Sequence, residues 1–291
     1  MGGSSWSTAS YSDYTTRNFL GKTVAQTFTR TSKDHRFDPK NVIVRESRDS
    51  TAHPESNAII VALDVTGSLG HMAKTIAEKG LGTLIEGILD TQPVKDPQVC
   101  IMAVGDVECD TAPLQVTQFE SGIEIVEQLK EIYLESGGGG NSYESYHLPW
   151  YFASEKTSID CFEKRGKKGY LFTIGDEQLP PTLTKAQIGR VLNSPGQTDF
   201  TTKELYELAS KKYEVFHLIV EEGHYCRRNK EGVVKSWRGL IGHRAIFLSN
   251  HEYVAEVILS TIRVSEGEDP NDVIESFQNP VREVIRHALL D

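Results

Sequence analysis

From residue 58 onward, short apolar runs alternate with segments whose apolar residues recur every third or fourth position. That alternation predicts βαβ units and a parallel sheet. The predicted strands read AIIVAL (58–63), QVCIMAVG (98–105), PLQVTQF (113–119), GYLFTI (169–174), YEVFHLIV (213–220) and RAIFLS (244–249). Several are apolar at consecutive positions, so both faces of the sheet must be covered. In the first helical segment Ala73, Ala77, Leu81, Ile85 and Leu89 form one row, and Met72, Ile76, Leu84 and Ile88 the next. Two adjacent rows make a broad buried stripe. Further helical patterns cover 123–134, 144–154, 185–192, 203–212 and 252–264. A last helix is predicted over 269–291, with Asp269 as its cap and Pro270 in its first turn. The expected fold is a three-layer α/β domain with a mostly parallel central sheet and helices on both sides.

Three segments follow. Residues 1–57 are rich in Ser, Thr, Arg and Asp and show neither period, so they read as an extended N-terminal arm. Such an arm is either a disordered tail or a strap that wraps the domain or docks on a neighbour, for which YTTRNFLGKTVAQTFT is apolar enough. Residues 58–264 form the α/β domain, and residues 265–291 a C-terminal helical extension. There is no internal repeat.

Composition narrows the partners. Apolar residues make up 38% and charged residues 25%, which is enough for a packed core. A net charge of −10 argues against nucleic acid, which is held mainly by clustered Lys and Arg. No apolar run approaches the roughly 20 residues that span a bilayer, and the N-terminus has no basic-then-apolar signal. Its Gly2 is followed by Trp at position 6, where a myristoylation signal needs Ser or Thr. Cys100, Cys109, Cys161 and Cys226 lack metal-ligand spacing and read as reduced, mostly structural thiols. A soluble, cytoplasmic protein is expected.

The chemistry lies where strands end. In an open α/β sheet, ligands bind at the carboxyl ends of the central strands, where connections part to opposite faces. The first apolar strand ends in Asp64-Val65-Thr66-Gly67-Ser68, three oxygen side chains at alternate positions leading into a helix N-terminus. These residues suit a turn and N-cap as well as a hard cation. Two further segments favour the cation. Gly137 to Gly140 precede Asn141, as in a loop whose backbone comes close to an ion or partner, and the strand GYLFTI is followed by Gly175 and Asp176.

On these residues the sequence resembles the von Willebrand factor A domain, a Rossmann-like α/β fold, over about residues 58–262. Its metal-ion-dependent adhesion site is written D-x-[ST]-x-S, then a Thr or Asp after glycines, then an Asp closing a later strand. GGGNSYE follows the G-G-G-D-x-P-E spacing of the D-x-T-G-S variant, with Asn141 for the acid and Tyr143 for the proline. Asp106 sits where such domains often carry an Asp before the third strand. ESRDS, HPES, DVTGS and QFESGI resemble a subgroup of bacterial and phage cytosolic members. The resemblance implies Thr66 and Ser68 as direct hydroxyl ligands, Asp64 and Asp176 as direct or water-mediated ligands, and Asn141 at the third-loop position. It implies a divalent cation, magnesium before manganese or calcium, with Asn141 removing the charge an Asp would bring. Glu144 then braces the glycine turn or caps the next helix.

The function so implied is metal-dependent protein binding, as an adaptor or scaffold, with the partner supplying a carboxylate. An ATPase or kinase system partner is implied by resemblance alone. The alternative is a self-assembling structural protein, a homo-oligomer joined through the arm or the metal. An enzyme is not expected; the rival in that class is a metal-dependent phosphatase or phosphotransferase with Asp64 as nucleophile. Haloacid-dehalogenase-like phosphatases need a second aspartate two residues on, where this chain has Thr66. The glycine run is not followed by the Lys-Ser/Thr of a phosphate loop. His217, His224, His243 and His251 show no i, i+4 pair and read as structural or solvated. HLPWYF (147–152) reads as the core side of a helix rather than a binding surface. CRRNKEGVVKSWRG (226–239) reads as a solvated basic loop, with an anion-binding role as the rival. The polar excursion 177–201 follows Asp176 and is placed to overhang the site.

Overall fold

The computed structural model describes residues 4–135, 143–193 and 198–291. Among these, the main sheet contains β1 (Asn57–Asp64), β2 (Pro97–Val104), β3 (Leu114–Val116), β4 (Gly169–Gly175), β5 (Tyr213–Val220) and β6 (Ala245–Leu248), in the order β6-β5-β4-β1-β2-β3. All neighbours are parallel except β2 with β3. Each strand coincides with one of the six apolar runs, and β1 is buried along its whole length. Side chains alternate across a strand. Ile59, Val61 and Leu63 therefore join one core, and Ala58, Ile60 and Ala62 the other. The first core packs under Leu81–Thr91, Glu124–Lys130 and Val254–Ser265; the second packs under His147–Glu155, Lys185–Leu192, Thr202–Ala209 and His224–Ile241. This is the three-layer architecture expected.

Several local expectations need correcting. The arm is not simply extended: Thr8–Asn18 is a helix capped by Ser7, and Tyr11, Phe19 and Phe28 are buried against the first core. Its apolar residues number too few for a clear period, yet these three aromatics find tertiary partners. Residues Arg45–Ser47 pair in parallel with Thr157–Ile159, and Arg48 reaches Asp160 and Glu163 at 2.8 and 2.9 Å. The first helix is broken by a π turn, Ile76–Gly80, between Gly70–Thr75 and Leu81–Thr91.

The basic segment is not a loop. It lies within the helix His224–Ile241, whose Cys226, Val233, Trp237 and Ile241 are buried, with non-helical backbone at Asn229. The C-terminal stretch is two helices, Pro270–Glu275 and Val281–Leu290, with Pro280 between them. A proline lacks the donor that a continuous helix needs. Among the described residues, no helix is long and apolar enough to cross a membrane.

Candidate metal centre

The sheet order places the switch point between β1 and β4, because the chain leaves β1 for β2 on one side and β4 for β5 on the other. Asp64 ends β1 and Asp176 follows the last residue of β4, so both reach the crevice where such folds take ligands. Thr66 continues in extended backbone, and Gly67 then turns the chain at φ 43°, which a side-chain-bearing residue adopts at a cost. A short 3-10 turn, Gly67–Leu69, leads into Gly70–Thr75.

The loop folds onto its own aspartate. Asp64 Oδ1 accepts hydrogen bonds from the Thr66 amide at 2.8 Å and the Thr66 hydroxyl at 2.7 Å. Asp64 Oδ2 accepts from the Tyr146 hydroxyl at 3.2 Å. Tyr146 is fully buried, and its ring lies so close to Gly175 that a Cβ there would stand 1.9 Å from the phenol oxygen. Glycine at the end of β4 is what lets Tyr146 reach Asp64. Thr66 Oγ1 also lies 3.1 Å from Glu144 Oε1.

Asp176 is fixed differently. Its Oδ2 accepts from the amides of Tyr225 at 2.7 Å and Cys226 at 3.3 Å, the free donors at the start of His224–Ile241. The aspartate closes an apolar run, whereas the helix that holds it carries an Arg- and Lys-rich segment that hides its period.

The electrostatics are those of gathered carboxylates, with the charge of His224 opposing the rise at Asp176. Burial raises the Asp64 carboxyl, with the charge of Asp176 adding to it and the Thr66 hydrogen bonds opposing it. Burial also raises Glu144, with Asp64 and Glu177 adding to it. Asp176 is raised by burial against the pull of the helix amides. Glu177 is pushed up to about 8, first by burial and then by Asp64, Asp176 and Asp106. Among the described residues none of these four carboxylates pairs with a Lys or Arg. Taking charge from water without a partner is costly.

These donors fit a hard cation in type. They are carboxylates and a hydroxyl, the oxygen ligands of magnesium, manganese and calcium. One oxygen, Glu144 Oε2, is buried with no hydrogen-bond partner. Carboxylates alone do not build the site, since no group of three or more His, Cys, Asp or Glu at metal-ligand spacing occurs among the described residues. Thr66 is therefore needed as a donor.

Of the predicted ligands, Asp64 and Thr66 are bonded to each other, and Asp176 lies at the neighbouring strand end, where its charge reaches Asp64. Ser68 lies two residues beyond Thr66 in the 3-10 turn, and its side chain is outside the described residues, as is Asn141. Asp106 serves its own turn, accepting from the Glu108 amide at 2.9 Å while its amide donates to Asp110 Oδ2 at 2.7 Å. Tyr146 and Glu177 were missed; both lie in segments where only long-range contact reveals the role. His147, Leu148, Trp150 and Phe152 are buried, so HLPWYF is core, and His217 is buried in β5.

No family model matches the chain, and no curated protein does. Among solved structures it is similar to the pilus adhesin SpaC from Lactobacillus rhamnosus GG (10% identity over 80% of this chain and 32% of that one, TM-score 0.45). It is also similar to a von Willebrand factor type A protein from Catenulispora acidiphila (13%, 74% and 44%, TM-score 0.42). A third is the vWF domain of the type V pili tip protein Mfa5 from Porphyromonas gingivalis (7%, 78% and 98%, TM-score 0.42). The chain spans about a third of the length of SpaC. The fold stands on strand order and register.

Proposed function

We propose that this chain is a metal-ion-dependent protein-binding domain of the von Willebrand factor A type, acting as an adaptor or scaffold. The observation that carries the reading is the placing of Asp64 and Thr66 beside Asp176 at the switch point, buried and, among the described residues, paired with no Lys or Arg. Asp64, Thr66 and Asp176 would hold a divalent cation, magnesium before manganese or calcium, together with Ser68 and Asn141. When bound, such an ion supplies Lewis acidity for a carboxylate offered by a partner protein. The chain's own part is to hold its ligands still: Tyr146 orients Asp64, and the amides of Tyr225 and Cys226 orient Asp176.

Binding is favoured over phosphoryl chemistry because Thr66 stands where a haloacid-dehalogenase-like phosphatase needs its second aspartate. Cys100, Cys109, Cys161 and Cys226 are all free, which supports a reducing, cytoplasmic setting. A specific observation favours self-assembly as the second reading: Ile43 is 87% exposed and Val44 38%, beside the arm strand Arg45–Ser47.

Thermal unfolding tests the metal part. A ligand bound only by the folded state stabilises it by about 2.7 kcal/mol at 100 times its dissociation constant. Magnesium or manganese should raise the melting temperature of the wild-type chain, chelator should abolish the rise, and Asp64→Ala should show none. An equal rise in Asp64→Ala would contradict the proposal. Light scattering in the same solutions separates the two partners: a metal-dependent doubling of mass marks self-assembly.

A further inference from the structure

The basic helix His224–Ile241 begins directly against the crevice. Gly223 comes so close to Asp176 that a Cβ on it would stand 2.2 Å from the aspartate Cβ. The amides of Tyr225 and Cys226 are taken by Asp176, so the rim beyond them acts through side chains. Arg227 and Arg228 come next, both exposed and within one helical turn of those amides. At Asn229 the backbone leaves helical geometry, with φ −141° and ψ 45°, and Asn229 Nδ2 donates to the Tyr225 hydroxyl at 3.2 Å. Gln178, in the loop after β4, donates to the same hydroxyl at 2.7 Å and bridges through its backbone to Tyr143, which is 37% exposed. The first turn of the helix is thus fixed to the crevice rim and set apart from the rest by a bend.

The positive charge on this turn is not spent within the chain. Further along the helix Lys230 pairs with Glu221, and Arg238 donates to the carbonyl of Asp291. Lys235 lies about two turns away. Among the described residues Arg227 and Arg228 form no ion pair. The charge of Arg227 reaches Glu222, which is already bonded to the amide and ring of His251. Across the crevice the loop after β2 carries Asp106, Glu108 and Asp110, with Glu108 exposed. The two flanks are therefore opposite in charge, acidic beside β2 and basic beyond β5.

We infer that Arg227 and Arg228, with Tyr143 on the same rim, form a docking surface for an acidic segment of another protein. The inference rests on the proposed protein-binding function and narrows its partner: one carboxylate is not enough, and further acidic residues must face the two guanidiniums. Arginine and tyrosine are the residue types that carry most binding energy when a partner covers them. A chain of net charge −10 repels acidic partners over most of its surface, so an uncompensated basic turn fixes where and in which direction such a segment lands. Nucleic acid is disfavoured, since it is held by longer arrays of Lys and Arg than one helical turn supplies.

The test is fluorescence anisotropy of a labelled peptide of alternating Glu and Ser, in magnesium at low salt. A Gln-Ser peptide and a deoxythymidine oligonucleotide of equal charge serve as comparisons. Wild type should bind the Glu-Ser peptide and neither comparison. The double variant Arg227→Glu, Arg228→Glu should bind at least about tenfold more weakly, with its fold retained by circular dichroism. Arg227→Lys with Arg228→Lys should keep most of the binding, and salt at about 1 M, where the screening length is about 3 Å, should abolish it. No binding by wild type, equal binding by the charge-reversed variant, or equal binding of the oligonucleotide would overturn the inference. So would a doubling of mass without peptide that the charge reversal removes, because the surface would then belong to a second copy. Chelator and Asp64→Ala separate this surface from the metal. Binding that survives both yet fails in the charge-reversed variant overturns the metal-dependent reading and leaves the docking surface standing; binding lost in Asp64→Ala but kept in the charge-reversed variant does the opposite.

Discussion

A single glutamate shows how the gathered carboxylates work against one another. Glu177 is raised to about 8 from an ordinary 4.5, first by burial and then by the charges of Asp64, Asp176 and Asp106. An acid raised in the folded state binds more protons there than in the unfolded chain. Its stabilising contribution is complete below its ordinary value and is lost as pH rises through about 8. Protein in chelator should therefore lose stability to urea between about pH 5 and pH 8, and Glu177→Gln should flatten that fall. An identical pH slope in the variant would show that Glu177 ionises as freely folded as unfolded. At this scale the sequence was legible where a residue closes an apolar run, as Asp64 and Asp176 do. Tyr146, Glu144 and Glu177 act through loops far apart in the chain: Glu144 meets Thr66 across 78 positions and Tyr146 meets Asp64 across 82. No local period encodes such contacts.

Among the elements, strands were the easiest to read because burial on both faces leaves an unbroken apolar run. Helices were read only where one face stays regular. In His224–Ile241 the buried positions Cys226, Val233, Trp237 and Ile241 are separated by Arg, Lys and two glycines, and Asn229 leaves helical geometry, so the charges hid the stripe. The helix matters to the site at both ends of its contact. Its first amides hold Asp176, and Trp237 donates from Nε1 to the carbonyl of Glu177 at 2.9 Å while stacking on His217 with ring centres 3.3 Å apart. Trp237→Ala should destabilise the fold by about 3–5 kcal/mol, as emptied aromatic sites in cores do. Denaturant unfolding measures it, and a loss below about 1 kcal/mol would mean that the helix is not docked as described.

Over the whole molecule, the arm closes the first core. Tyr11 donates to the carbonyl of Ala77 in the π turn at 3.1 Å, and its ring fills the space beside Gly82, where a Cβ would come within 2.4 Å. The arm thus packs on the helical segment that the Asp64–Ser68 loop feeds. Composition concealed this, since a few well-placed aromatics among Ser, Thr and Asp look like a tail until the surface they cover is known. The proposed role of the switch point is to hold a cation by side chains from separate loops. Calorimetric titration of manganese into wild type and Asp176→Ala tests it most directly. The account predicts one ion per wild-type chain and binding lost in Asp176→Ala with the fold retained. Equal binding by both proteins would place any ion elsewhere and contradict it.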